Sequence, residues 1–172
     1  MFTIIWSTAL ILGILITIHE YGHFKAARSV GVRVEKFSIG IPPRFIQLKS
    51  LNDFIELKVY FFKWSKGKLK WDVVYTKQIN KPGRKGSKTE YVIALLPIGG
   101  YVKMAGILDE SLDSNVQYKD DEFIVKSYWE KIWILSAGVL MNVFLAFIIF
   151  ATIGYYQGKS EVLNEPIISE LK

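Results

Sequence analysis

The sequence predicts an integral membrane protein of the α-helical class, with two transmembrane helices and a β-rich loop between them that is cytoplasmic or re-enters the membrane. Three observations predict it. No charged residue occurs from position 2 to position 18, nor from 132 to 156, and a helix of about 20 apolar residues crosses a hydrocarbon core of roughly 30 Å. Of the 22 Lys and Arg residues, all but Lys159 and Lys172 fall between those two runs. The intervening stretch repeatedly alternates apolar and polar residues, which is the period of a half-buried strand.

The first element spans residues 1–28. No Lys or Arg precedes its apolar run and no small-residue cleavage site follows, so it reads as a retained helix and not as a cleaved signal peptide. Gly31 ends it as a C-terminal cap. The basic residues nearest the two spans are Lys25, Arg28, Arg33, Lys36, Lys126 and Lys131. By the positive-inside rule they place residues 25–131 in the cytoplasm and the N-terminus outside. The formal charge of +6 is then topology and attraction to anionic lipid, not a nucleic-acid footprint. The absence of cysteine excludes disulfides, thiolate zinc sites and thiol nucleophiles.

Residues 29–104 read as β-rich. Val32-Arg33-Val34 opens an alternating run that continues to FSIG. DFIELKVYFFKW and KLKWDVVYTKQI alternate around Ser65-Lys66-Gly67, which reads as a basic hairpin over about 52–81. KPGRKGSK is a turn region, and TEYVIALLP is a more apolar strand closed by Pro97 and Gly99-Gly100. Residues 105–131 are a polar connector carrying Asp109, Glu110, Asp113, Asp120, Asp121 and Glu122. They end in the aromatic and basic anchor SYWEK before the second helix, 132–156. Residues 157–172, with EVLNEPIISELK, begin a strand-like pattern and suggest that the chain is the N-terminal portion of something longer.

The chemistry is concentrated where the first apolar run ends, in HEYGH. His19 and His23 are the only histidines. Four residues apart on a helix, they share a face and can present two imidazoles to one ion. Glu20, turned by about 100°, reaches a water beside that ion more easily than the ion itself. This is the helical HExxH arrangement of zinc hydrolases, with two ligands and a carboxylate that takes a proton from attacking water. Lys25 and Arg28 mark the cytoplasmic interface, which puts His19 on the order of 9–14 Å inside it. An ionised carboxylate at the centre of a membrane helix costs roughly 2.5–3.5 kcal/mol. A bound cation offsets that cost where packing of two incidental core histidines would not.

HEYGHFKAARSVGVRVEKFSIG, TEYVIALLPIGGYVKMAG and SAGVLMN together resemble the site-2 protease family of intramembrane zinc metalloproteases, in particular its bacterial regulator of sigma E protease type. The blocks occur in the family's order and cover the chain apart from the inserted hairpin and the tail. The resemblance implies Zn2+ held by His19 and His23, Glu20 as the catalytic base, and a location in the bacterial inner membrane. It implies a transmembrane protein substrate, such as an anti-sigma factor or a signal-peptide remnant, and regulated intramembrane proteolysis. It also implies that the strands dip into the membrane to hold substrate in extended form, with Gly99, Gly100 and Tyr101 matching that region, although a plain hairpin turn explains them equally. Asn142 keeps the family's position in the second helix and is counted with Gly99, Gly100 and Tyr101 as substrate-binding, although a buried Asn also serves to tie helices together.

The chain departs from the family in three places. Val139 stands where Pro is common, IPPRF replaces a glycine-rich pattern, and the family's third ligand is an Asp on a later helix, beyond one or two PDZ domains. Such a PDZ domain would begin at residues 157–172. No Asp, Glu, His or Cys occurs in 132–156, and Glu35 lies beyond the proposed interface, so two of the three protein ligands of a catalytic zinc are accounted for. The competing reading is a non-catalytic membrane adaptor that binds transmembrane helices without cutting them. A third makes the basic hairpin the functional part, docking to anionic lipid or to a cytoplasmic partner.

Overall fold

The computed structural model describes residues 1–65, 67–83, 85–87, 89–107 and 118–158. Asp109, Glu110, Asp113, Lys66 and the tail from 159 onward, with its expected domain start, lie outside the described residues. The elements run α1 (Phe2–Ser29), β1 (Val34–Leu51), β2 (Phe54–Ser65), β3 (Lys68–Asn80), β4 (Glu90–Met104), a 3-10 turn (Phe123–Val125) and α2 (Tyr128–Gln157).

This corrects the expected α-helical class. The four strands form one sheet in the order β3-β2-β1-β4, and strand accounts for 40% of the described residues. The molecule is a pair of long helices packed on a sheet. The two apolar runs dominate a hydropathy reading, whereas strands register only as alternation, a weaker signal per residue that nevertheless extends over long stretches here.

At 1.5 Å per residue, α1 and α2 are about 42 and 45 Å long, longer than a hydrocarbon core is thick. Their apolar side chains face outward. In the most apolar stretch of α1 only 6% of the residues are buried, and in that of α2 17%, unlike the core helices of a water-soluble protein. α1 closes with the Val32 amide donating to the Ala27 carbonyl at 2.8 Å and Gly31 at φ +76°, a glycine-dependent helix stop. α2 opens with a reciprocal cap: Ser127 Oγ accepts from the Glu130 amide, and the Ser127 amide donates to Glu130 Oε2 at 2.8 Å.

β2 and β3 pair from Ser65↔Lys68 back to Phe54↔Asn80. β1 and β4 are each bent, β1 near Pro42-Pro43 and β4 near Pro97, so that the first half of β1 is paired on both sides. Lys36 to Ile39 lie against Glu90 to Ile93 in the same sense. On the other side Val34 to Ile39 lie against Gly100 to Met104 in the opposite sense. The second half of β1 pairs with Glu90–Ala94 and with β2. Among the described strands, the 100–104 stretch is paired with β1 on one side.

The buried core joins the C-terminal half of α1 (Phe24, Ala26, Ala27), Val32 before β1, the start of β1 (Val34, Phe37), Met104, and the first turns of α2 (Ile134, Ala137). Two glycines set how closely α1 is approached. A Cβ on Gly22 would collide with the Ala137 carbonyl oxygen, and one on Gly13 with that of Pro97. The bent end of the sheet therefore rests on the middle of α1.

Candidate metal centre

α1 aims its two imidazoles at α2. The rings lie edge to face with centroids 4.7 Å apart. His23 Nδ1 is 2.7 Å from the Ile134 carbonyl oxygen. Only a protonated nitrogen satisfies that contact, so Nδ1 carries the hydrogen and Nε2 of the neutral ring keeps its lone pair. His23 Nε2 lies 3.1 Å from His19 Nε2. His19 Nδ1 is in turn 3.5 Å from the side-chain amide of Asn142, whose Oδ1 is buried without a hydrogen-bond partner. A half-turn of that amide gives the orphaned oxygen a donor in His19 Nδ1–H and leaves His19 Nε2 bare as well.

With both Nδ1 atoms protonated, the two Nε2 atoms, 3.1 Å apart, present their lone pairs to a single ion. Two zinc–nitrogen bonds of 2.0–2.1 Å at the tetrahedral angle place their nitrogens about 3.3–3.4 Å apart. The donor set therefore fits a zinc ion, and α2 leaves it room. The residue facing the pair is Gly138, where a Cβ would stand 2.5 Å from His23 Nε2 and 2.6 Å from His19 Nε2. Among the described residues no group of three or more His, Cys, Asp and Glu side chains is gathered at metal-binding distance. Glu35 is occupied elsewhere, 3.8 Å from the Arg33 guanidinium.

Glu20 turns from the imidazoles toward the sheet edge. The Val102 backbone amide lies near its carboxylate, and its Cγ lies 3.7 Å from where a Gly100 side chain would start. The absence of that side chain lets β4 approach the carboxylate. Of the other residues singled out in the sequence, Tyr101 lines a cleft of about 330 Å³ with Val102, Lys103, Met104 and Ile107 along the same strand. Gly99, at φ +91°, turns the strand and packs on Ile41. Asn142 stands beside His19, not along the strand. Sequence reasoning missed Gly138, the Ile134 carbonyl and the Val102 amide. Gly138 lies within the SAGVLMN block, and a glycine in a helix otherwise rich in large apolar residues was the one available signal.

The family model described as Peptidase family M50 matches residues 7–67 and 62–171. The chain belongs to peptidase family M50. That is the site-2 protease resemblance carried by HEYGH and its companion blocks. Among curated relatives, Protease RseP of Yersinia pestis is 37% identical over 160 residues, covering 91% of this chain and 26% of its own length. The Regulator of sigma-E protease RseP of Escherichia coli is 36% identical with the same coverage. A Chlamydia trachomatis protein named "Putative zinc metalloprotease" is 31% identical over 163 residues, covering 91% of this chain and 20% of its own length. The chain thus spans between a fifth and about a quarter of the length of these M50 relatives.

Proposed function

We propose that this chain carries the zinc-binding portion of an M50 endopeptidase that hydrolyses peptide bonds of transmembrane segments within the bilayer. One observation carries the proposal. The two Nε2 atoms converge at 3.1 Å, one ring is locked into the required tautomer by Ile134, and Glu20 lies one residue along the same helix.

α1 and α2 span the bacterial inner membrane, the N-terminus lies outside, and the segment between the helices is cytoplasmic or re-entrant. His19 and His23 hold the zinc. When bound, zinc supplies a Lewis acid that polarises a peptide carbonyl and acidifies water at neutral pH. Glu20 takes the proton of the attacking water and delivers it to the leaving amine. A helical substrate must unwind before its carbonyl is attackable, and its freed amide and carbonyl groups need partners away from water. The 100–104 edge of β4 offers them beside Glu20, with Gly100 nearest the carboxylate and Tyr101 next along the strand, by strand addition. The relatives' printed name, regulator of sigma-E protease, supports a substrate that controls a sigma factor, such as an anti-sigma factor, with signal-peptide remnants as the other class.

Glu20→Gln tests this reading. It removes the base while preserving shape, and the protein in its native-length form is expected to lose cleavage of a transmembrane substrate while retaining its zinc. Undiminished cleavage would sink the proposal. A second reading is a helix-binding adaptor, for which the same substitution leaves substrate capture unchanged and no cleavage is seen in either form.

A further inference from the structure

The β2–β3 hairpin divides its outer half into two chemically opposed faces. Directly paired residues share a face, and the pairs Tyr60↔Val73, Phe62↔Trp71 and Trp64↔Leu69 put six apolar side chains on one. By the same register the other face carries Phe61↔Asp72 and then, toward the tip, Lys63↔Lys70 and Lys68. The apolar face is not buried within the molecule: Trp64 is 72% exposed, Leu69 56% and Phe62 54%. It is nonetheless rigidly built. Phe62 and Trp71 pack edge to face at 5.0 Å, Trp71 Nε1 donates to the Arg44 carbonyl at 2.7 Å, and the Tyr60 hydroxyl bonds Gln47.

The direction of the hairpin indicates what covers this face. β2 runs antiparallel to residues 46–51 of β1, with Val59 level with Ile46. Residues 60–65 therefore continue past Ile46 toward the Pro42-Pro43 end of the sheet, not away from it. That end carries the Pro97 carbonyl against Gly13, in the middle of α1 and about 18 Å along the helix from Lys25. A tip pointing that way meets the bilayer that α1 crosses.

We propose that the tip of the β2–β3 hairpin is a membrane-seated element, its Phe62, Trp64 and Leu69 face lying at the acyl boundary and Lys63, Lys68 and Lys70 engaging anionic lipid headgroups. Tryptophan favours this boundary because its ring is apolar and its N–H polar. Lysines extend their amines to the headgroups while their stems stay in apolar surroundings. Lys63 and Lys70 directly opposite one another repel in water, and phosphate groups relieve that repulsion. The alternative of leaving such an apolar face in water would make it an association surface.

The chain has no cysteine, so single labelling sites can be introduced cleanly. Leu69→Cys at the tip and Asn80→Cys at the hairpin base would each carry a nitrobenzoxadiazole fluorophore. The protein would be placed in nanodiscs of mixed phosphatidylglycerol and phosphatidylcholine, with quenching by nitroxide-bearing lipid compared with quenching by aqueous iodide. The expected result is lipid quenching and loss of iodide quenching at 69, the reverse at 80, and a drop in lipid quenching at 69 when Lys63 and Lys70 become Glu. Trp64→Cys repeats the tip measurement if the Leu69 variant fails to fold. Iodide reaching both tip positions as freely as it reaches position 80 would overturn the proposal and leave the face to a protein partner.

Discussion

A histidine binds a metal through one ring nitrogen, and what the other nitrogen touches decides which one is free. Ile134 settles this for His23 at 2.7 Å, and the Asn142 amide is placed to do so for His19. Losing an orienting partner of this kind typically costs about 10- to 100-fold in metal affinity. Asn142→Ala is therefore expected to weaken zinc binding in a chelator competition by that order. Asn142→Asp, which keeps an acceptor facing Nδ1, is expected to restore most of it; equal losses in both variants would reduce Asn142 to a packing residue. Gly138→Ala is a sharper test, because its methyl would enter the space between helix and imidazoles. Zinc content should fall to background while far-ultraviolet circular dichroism stays that of the unaltered protein, and normal zinc loading would show that the rings do not face α2. The histidine pair and Glu20 were legible in the sequence because helical spacing brings i and i+4 together locally. Gly138 and the Ile134 carbonyl were not, since they meet the pair across more than a hundred residues of chain. Asn142 was read with the substrate-contacting residues because its position in a motif block says nothing about which neighbour its amide faces.

The helices depend on close approach. Gly22 lets the Ala137 carbonyl of α2 lie against α1, and its neighbour His23 bonds α2 one turn away. Gly22→Val is expected to push the helices apart, draw the Ile134 carbonyl off His23 and lower zinc affinity. Gly154→Val, where nothing lies within 4 Å, is expected to leave it unchanged. Similar zinc affinity in the two variants would count against coupling between helix packing and the metal site. Helix positions were readable from charge-free runs, and the β2–β3 pairing from alternation around Ser65-Lys66-Gly67. The double pairing of β1 was not. It follows from bends near Pro42-Pro43 and Pro97 that set the two halves of each strand on either side of one half of the other, and alternation reports which face a residue occupies but not which strand lies next to it. The overall class went astray for a related reason: apolar runs announce helices far more loudly than alternation announces a sheet of equal extent.

At the scale of the molecule, the bent end of the sheet reaches the middle of α1 and sets the β4 edge beside Glu20, so that strand, carboxylate and imidazoles form one continuous site. The Val102 amide on that edge lies near Glu20, and Gly100 keeps the approach open. In the proposed reading, a membrane helix drawn into extended form along residues 100–104 would present its carbonyl to the metal and the attacking water to Glu20. All of this depends on a metal lying between the two Nε2 atoms. Zinc-edge X-ray absorption on the purified, native-length protein measures that most directly. The account predicts one zinc per chain with two imidazole nitrogens at about 2.0–2.1 Å, both lost in a variant with His19 and His23 replaced by Ala. A protein that purifies without zinc under metal-replete conditions, or whose zinc has no imidazole in its first coordination sphere, would contradict it.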